Sequence, residues 1–138
     1  MQIEGIIALH KIVKLKAPES GSVTEGETNL WILQGIAEKP NLTLFGSEPK
    51  YETPLEKAAC LLEAIARLHP FTDGNKRTAL LTAYSFLQFE GYYLDLRLVD
   101  PHFLVYVASN NSRTEKEIDM IIEEIVLYFK QRLQNEFI

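Results

Sequence analysis

Apolar residues recur every three or four positions over most of the chain, the spacing typical of amphipathic α-helices. In the first segment they predict a helix over residues 2–14, carried by Ile3, Ile6, Ile7, Leu9, His10 and Val13, with His10 expected to be partly buried. Residues 17–23 read APESGSV and indicate a loop. A second helix is predicted over residues 24–38, ending before Pro40, with Trp31 expected in the core.

Residues 40–53, PNLTLFGSEPKYET, interrupt this helical pattern. Apolar and polar residues alternate on both sides of a turn at residues 46–49, which is the pattern of two short strands joined by a tight connection. The sequence therefore predicts a small β-hairpin flap here. A short strand at residues 92–96 is the other β element expected.

The third helix has a clear start, because Thr53 and Glu56 form a capping pair with a proline between them. Its apolar stripe extends to His69, which is expected on the core-facing side at the C-terminal end. A fourth helix is predicted over residues 75–90, with Gly91 ending it. It is apolar nearly all round, which is typical of a central helix packed on several sides.

Two more helices are predicted in the C-terminal third. One ends at Ala108, although its run FLVYVA would also suit a strand. The other follows a capping box of Thr114 and Glu117 and continues to about residue 134. No internal repeat or long linker interrupts the pattern. We predict one domain over residues 1–138, an all-α bundle of about six helices with a small β-hairpin flap.

Composition and charge narrow the class of function. The 138 residues are 46% hydrophobic and 24% charged, with a net charge of -5, which argues against broad binding to nucleic acid. Cys60 is the one cysteine, so an internal disulfide is impossible, and its apolar surroundings indicate core packing. No apolar run approaches the ~20 residues that cross a bilayer, and the charged start does not suit a secretory signal. A cytoplasmic protein without membrane partners is expected.

The candidate chemistry is concentrated in residues 69–78, HPFTDGNKRT. The start of the fourth helix would direct free N–H groups and about half a positive charge at this turn. Gly74 allows the backbone to approach an anion closely. Lys76 and Arg77 add full charges, and Asn75 could cap the helix or orient a phosphate oxygen. This pattern indicates a phosphate-binding turn.

Two further residues of the segment add reactive groups. Asp73 is a carboxylate within a cationic turn, which beside a polyphosphate is typical of a bridging Mg²⁺. His69 supplies an imidazole, the side chain best suited to remove a proton from an incoming hydroxyl at neutral pH. Each residue taken singly would be an ordinary structural one. Their combination within ten positions indicates a site.

The segment HPFTDGNKRTAL resembles the motif of the Fic/Doc proteins, H-x-F-x-[D/E/N]-[A/G]-N-[G/K]-R. The matching residues are His69, Phe71, Asp73, Gly74, Asn75, Lys76 and Arg77. The resemblance implies transfer from ATP to a protein hydroxyl, with His69 as base and Asp73 as magnesium carboxylate. Phe71 and residues 74–77 would form the phosphate site, Phe71 by anchoring the loop in the core. The flap at residues 40–53 would hold the target segment.

Several positions of the motif bear on which group is transferred. Most Fic enzymes attach AMP, whereas the Doc-like toxins resemble them in fold but phosphorylate a threonine of the translation factor EF-Tu. Lys76 and Leu80 stand where AMP-transferring members have a glycine and a second arginine, which is Doc-like. Gly74 and the His-Pro start are commoner in the AMP-transferring members. The balance favours phosphotransfer, with AMP transfer (AMPylation) as the alternative.

The resemblance also bears on regulation. Fic enzymes are commonly inhibited by a glutamate that pairs with the second arginine of the motif. Leu80 removes that arginine here, so a separate antitoxin protein is expected instead.

Two other classes of function stay open at this point. One is a catalytically inactive member that binds nucleotide and serves as a scaffold. The other is a metal-dependent nuclease that uses His69, Asp73 and Asn75, which the acidic net charge disfavours.

Overall fold

The computed structural model describes residues 1–16 and 28–134, so the loop predicted at residues 17–23 lies outside the described residues. The elements in these ranges are α1 (Ile3–Lys16), α2 (Leu30–Glu38), β1 (Thr43–Leu44), β2 (Glu48–Pro49), α3 (Pro54–Leu68), α4 (Asn75–Phe89), α5 (Pro101–Ala108) and α6 (Glu115–Lys130). The predicted all-α fold of about six helices with a β-hairpin is confirmed. None of the helices in the described ranges combines the length and the apolarity needed to cross a bilayer.

The capping residues that the sequence indicated do start the helices. The Thr53 hydroxyl accepts from the Glu56 amide, and a complete capping box joins Thr114 to Glu117. These bonds satisfy N–H groups that have no partner within the helix itself. At the C-terminal end of α4, Gly91 takes a φ of +89° and ends the helix as predicted.

The central helix of the bundle is α3, whereas the sequence pattern favoured α4. All ten residues from Ala58 to Arg67 are buried, and α3 packs against α2, α4, α5 and α6. Its alanines are small enough to let neighbouring helices approach from several sides. Helix α4 packs against α1, α3 and α5, as its apolar sequence predicts, but it fully buries only one face and leaves Phe89 90% exposed near its C-terminal end.

Cys60 lies within this buried stretch of α3 at 1% exposure, so its predicted role in core packing is confirmed. Burial raises the pKa of its thiol to about 11. The thiolate is therefore scarce at neutral pH, and the residue behaves as a small apolar side chain.

The predicted flap is present as a short antiparallel hairpin. Thr43 pairs with Pro49, and Leu44 pairs with Glu48. At the tip, Phe45 and Gly46 take positive φ angles of 31° and 96°. Both strands are exposed, so the hairpin stands out from the helices.

Two predictions in the C-terminal half need correction. The strand expected at residues 92–96 is reduced to one antiparallel bridge between Leu94 and Leu133. Helix α6 ends at Lys130 and does not continue to residue 134, since Leu133 is in extended conformation in this bridge. The run FLVYVA forms α5, so the strand alternative there was wrong.

The second helix also differs from its prediction. It begins at Leu30, and the Asn29 side chain caps it by accepting from the Ile32 amide at 3.0 Å. Residues 28–29 are not helical, so the prediction of one continuous helix over residues 24–38 was wrong. Residues 24–27 lie outside the described residues. Trp31 is 88% exposed, because this helix turns Leu33, Ile36 and Ala37 to the core instead.

A charged cluster is buried beside the apolar residues of α3. The Glu63 carboxylate, at 0% exposure, accepts from Arg67 at 2.6 Å and from Arg113 at 3.3 Å. Arg113 also donates to the Val107 carbonyl oxygen at 2.7 Å. These contacts join α3 to α5 and to the segment before α6. Such a cluster depends on keeping all its charges paired, because an unpaired buried charge is costly.

We expect Glu63→Gln to destabilise the fold by about 3–5 kcal/mol, because it leaves two buried guanidinium groups without an anion. Chemical denaturation followed by circular dichroism measures this loss. The matched control is Glu123→Gln on the exposed face of α6, expected to change stability by less than about 0.5 kcal/mol. A loss below about 1 kcal/mol for Glu63→Gln would show that the cluster is dispensable.

Candidate functional site

The predicted site is the loop that joins the two helices α3 and α4. It begins and ends with a left-handed residue: His69 has φ 50° and ψ 61°, and Gly74 has φ 73° and ψ 12°. Left-handed residues turn the chain sharply, so the short loop can reverse direction between two packed helices. The loop is thus a defined turn at one end of the bundle.

Asn75 and Phe71 hold this turn closed. The Asn75 carboxamide accepts from the Phe71 amide at 3.0 Å and donates to the Phe71 carbonyl at 2.9 Å. The Phe71 side chain is 4% exposed and belongs to the core cluster, so it ties the loop to the core. Asn75 does not cap α4, since Gly74 is the N-cap and the side-chain carboxamide of Asn75 bonds back to the loop.

Helix α1 supports the loop from a second side, through His10. The His10 ring stacks on the Phe71 ring at a centroid distance of 3.8 Å and an angle of 3°. Its Nε2 lies 3.0 Å from the Asp73 carbonyl oxygen, which can only accept, so Nε2 carries the proton and donates. Burial lowers the pKa of His10, against the smaller raising effect of Asp73, and favours the neutral ring. The sequence predicted partial burial of His10 but not this contact.

The Asp73 carboxylate forms an ion pair with Lys14, a second residue of α1. Lys14 Nζ lies 2.7 Å from one carboxylate oxygen and 2.8 Å from the other. The side chains are 27% and 47% exposed, so water reaches both members of the pair. A pair of this exposure typically contributes only about 0.2–1 kcal/mol to stability. Its geometric effect is to hold the carboxylate against α1.

The start of α4 has the features of an anion site. The first helical hydrogen bond is from the Thr78 amide to the Gly74 carbonyl at 2.9 Å, and no side chain caps the helix in the described part of the chain. The amides of residues 75–77 therefore point outward as donors. Lys76 and Arg77 are exposed, and neither forms an ion pair within residues 1–16 and 28–134.

His69 is placed differently from its prediction. Its side chain is exposed, so the expectation that it lies on the core-facing stripe was wrong. The reason is its left-handed backbone, which ends α3 while its amide still donates to the Ile65 carbonyl at 3.2 Å. An exposed imidazole can meet an incoming substrate, which a core histidine could not.

The residues present fit a magnesium ion held by one carboxylate, with phosphate oxygens or water as its other ligands, and do not form a protein cage for a metal. In the described part of the chain, no three His, Cys, Asp or Glu side chains converge. Asp73 offers a single, half-exposed carboxylate. One carboxylate together with phosphate oxygens is the usual way in which Mg²⁺ is held beside a nucleotide.

A cavity of about 750 Å³ lies elsewhere, between the flap and α6. Leu44, Lys50 and Tyr51 contribute to one wall, and Asp119 belongs to the wall formed by α6. Lys50 Nζ lies 3.4 Å from the Asp119 carboxylate, which ties the base of the flap to that helix. None of the predicted site residues lines this cavity.

The structure thus brings Phe71, Asp73, Asn75 and the start of α4 together in one turn. Sequence reasoning missed the role of His10 and Lys14. They stand four positions apart and share one face of α1, which is a visible signal. The sequence could not show which loop that face contacts.

Comparison with known proteins points to the group that the motif resembles. Residues 2–87, more than half of the chain, match the profile of the Fic/DOC family. The protein named Toxin Doc of Mycolicibacterium smegmatis is 40% identical over 63 residues, which are 46% of this chain and 48% of that protein. The match therefore spans about half the length of this curated relative.

We expect His69→Gly to be more stable than His69→Ala by about 1 kcal/mol, because glycine adopts the left-handed conformation without strain. Thermal unfolding of the two variants measures the difference. Both variants lack the imidazole, so the comparison isolates the backbone. Equal stabilities would contradict the left-handed geometry at this position.

We expect Gly74→Ala to destabilise the fold by about 1–3 kcal/mol. The added Cβ would lie 3.3 Å from Val13 Cγ1 and 3.7 Å from the His10 ring, at a φ of +73°. The matched control is Gly35→Ala in α2, where no atom lies within 4 Å, and there alanine should stabilise by about 0.5–1 kcal/mol. Urea denaturation measures both, and an unchanged Gly74→Ala variant would contradict close contact between α1 and the loop.

Proposed function

The chain belongs to the Fic/DOC family, and we propose that it is a toxin-type enzyme that transfers a phosphate-containing group from ATP to a hydroxyl of a protein. The observation that carries the proposal is the uncapped start of α4, flanked by Lys76 and Arg77 and preceded by an exposed histidine. An uncapped helix start with two cations favours a polyphosphate. A nearby exposed base favours a hydroxyl acceptor.

Each residue of the turn has a distinct part in the proposed reaction. The amides of residues 75–77 and the side chains of Lys76 and Arg77 bind and orient the phosphates. Asn75 and Phe71 keep those amides in position through the closed turn. Asp73 would hold Mg²⁺, which when bound neutralises phosphate charge.

The chemical step requires a proton to leave the target hydroxyl. His69 accepts this proton as the hydroxyl oxygen forms a bond to phosphorus. In phosphotransfer the γ-phosphorus is attacked and ADP leaves, whereas in AMP transfer the α-phosphorus is attacked and pyrophosphate leaves. The bond to the leaving group breaks in each case, and the proton stays on the imidazole until solvent removes it.

Phosphotransfer is the form of the reaction that we favour. Lys76 is exposed and places a long cationic side chain at the start of α4. Leu80, one turn further on, is partly buried and packs against the core, so it offers no charge to a phosphate. AMP transfer is the alternative, because Gly74 and the His69-Pro70 start of the motif are commoner in the AMP-transferring members of the family.

The flap is the proposed docking place for the target segment. Its two strands are exposed at both faces, and Phe45 at the tip is fully exposed. Exposed strand edges can pair with an extended peptide. The ion pair between Lys50 and Asp119 of α6 fixes the base of the flap, so a bound segment would have a rigid support. By resemblance, the proposed target belongs to the class of translation factor EF-Tu.

An antitoxin protein is the proposed partner in the cell. The relative from Mycolicibacterium smegmatis is named as a toxin, which supports this pairing. Leu80 supports it as well, since an internal inhibitory glutamate would find no arginine at that position.

The proposed reaction is tested with ATP labelled on either the α or the γ phosphate, in a bacterial lysate containing the purified protein. We expect label to pass to a protein from γ only, and His69→Ala to lower transfer at least a hundredfold, because the base is lost. The matched control is His102→Ala on the exposed start of α5, which should keep full activity.

The other outcomes of this assay separate the alternatives. Label from α only would establish AMP transfer. Nucleotide binding without His69-dependent transfer of either label would contradict an enzyme and support a nucleotide-binding scaffold.

A further inference from the structure

The Lys14 ammonium occupies the open side of the Asp73 carboxylate, the group proposed to hold a metal ion. Lys14 Nζ lies 2.7 and 2.8 Å from the two carboxylate oxygens, so the ammonium is centred on the open side of the carboxylate. We propose that Lys14 is a resident counter-ion of Asp73, and that a divalent cation binds this carboxylate only by displacing the ammonium. The inference rests on the proposed role of Asp73 in a nucleotide site.

The two cations would compete for the same two carboxylate oxygens in this geometry. Mg²⁺ binds oxygen ligands at about 2.0–2.1 Å. An ammonium bridging the same two oxygens would then be in close contact with a doubly charged ion, and like charges at such distances repel strongly. Metal binding and the bidentate Lys14 contact therefore compete for the same carboxylate oxygens.

The ammonium is also free to leave. The Lys14 and Asp73 side chains are 27% and 47% exposed, so water can solvate each ion after separation. A lysine head group on a flexible stem moves away by rotation of its side chain alone. Displacement does not require α1 to shift.

Departure of Lys14 leaves the loop in place, because other contacts hold its backbone. The Asp73 carbonyl accepts from His10 Nε2, and the Phe71 ring is stacked on the His10 ring. Asn75 closes the turn independently of α1. Lys14 therefore acts on the Asp73 carboxylate and not on the path of the chain, so it is a positioning residue with an effect on metal affinity.

The test is a titration of the protein with Mg²⁺ in the absence of nucleotide, followed by NMR at the backbone amides of Asp73 and Gly74. We expect Lys14→Met to lower the dissociation constant for Mg²⁺ at this site by about five- to tenfold, because the competing ammonium is gone. A merely structural role predicts the opposite, since a loosened loop would bind the ion more weakly.

The matched control is Lys11→Met, which removes the same charge from an exposed position of α1. It should change the dissociation constant less than twofold. Equal effects of the two variants would show a bulk charge effect and overturn the proposal, as would an unchanged or weaker affinity in Lys14→Met. Asp73→Asn should abolish the saturable response, and a response that persists would overturn both the proposal and the metal role of Asp73.

The outcome is separable from that of the transfer reaction, because the titration contains no ATP. Tighter Mg²⁺ binding in Lys14→Met together with no labelled product would support the counter-ion and contradict the proposed enzyme. Labelled product together with unchanged Mg²⁺ affinity would support the enzyme and overturn the counter-ion.

Discussion

The site depends on one reciprocal pair of hydrogen bonds, between the Asn75 side chain and the backbone of Phe71. The carboxamide both accepts from and donates to the same residue, at 3.0 and 2.9 Å, and it is only 6% exposed. A carboxamide is the one common side-chain group that carries a donor and an acceptor side by side. Because both bonds close across the turn, the direction of the α4 amides and the burial of Phe71 follow from this single residue.

The second constraint comes from α1, far away in the sequence. His10 covers the Phe71 ring and donates to the Asp73 carbonyl, and Val13 Cγ1 lies 3.3 Å from where a Cβ on residue 74 would be. A side chain at position 74 would need the space that these two residues fill. The glycine of the motif therefore has two uses in this chain, the backbone conformation and the close approach of α1.

Sequence reasoning predicted the helices well where local chemistry decides. The starts of α3 and α6 follow from Thr53 and Thr114, whose side chains bond to amides three residues away. The candidate turn was also visible, because its residues are contiguous. The contacts of His10 and Lys14 join residues 63 and 59 positions apart. Periodicity reports which face of a helix is apolar, and it carries no information about which distant loop meets that face.

The prediction that the His69 side chain faces the core was wrong for a related reason. In the sequence, His69 continues the apolar stripe of Leu62 and Ile65 at helical spacing. The helix itself ends one residue earlier, at Leu68. Had the helix continued, the imidazole would have entered the core beside these residues, where an unpaired polar group costs about 1–3 kcal/mol. The left-handed conformation costs roughly 1 kcal/mol and turns the side chain to solvent. The strain at His69 is thus the smaller cost, and it is also what makes the imidazole accessible to a substrate.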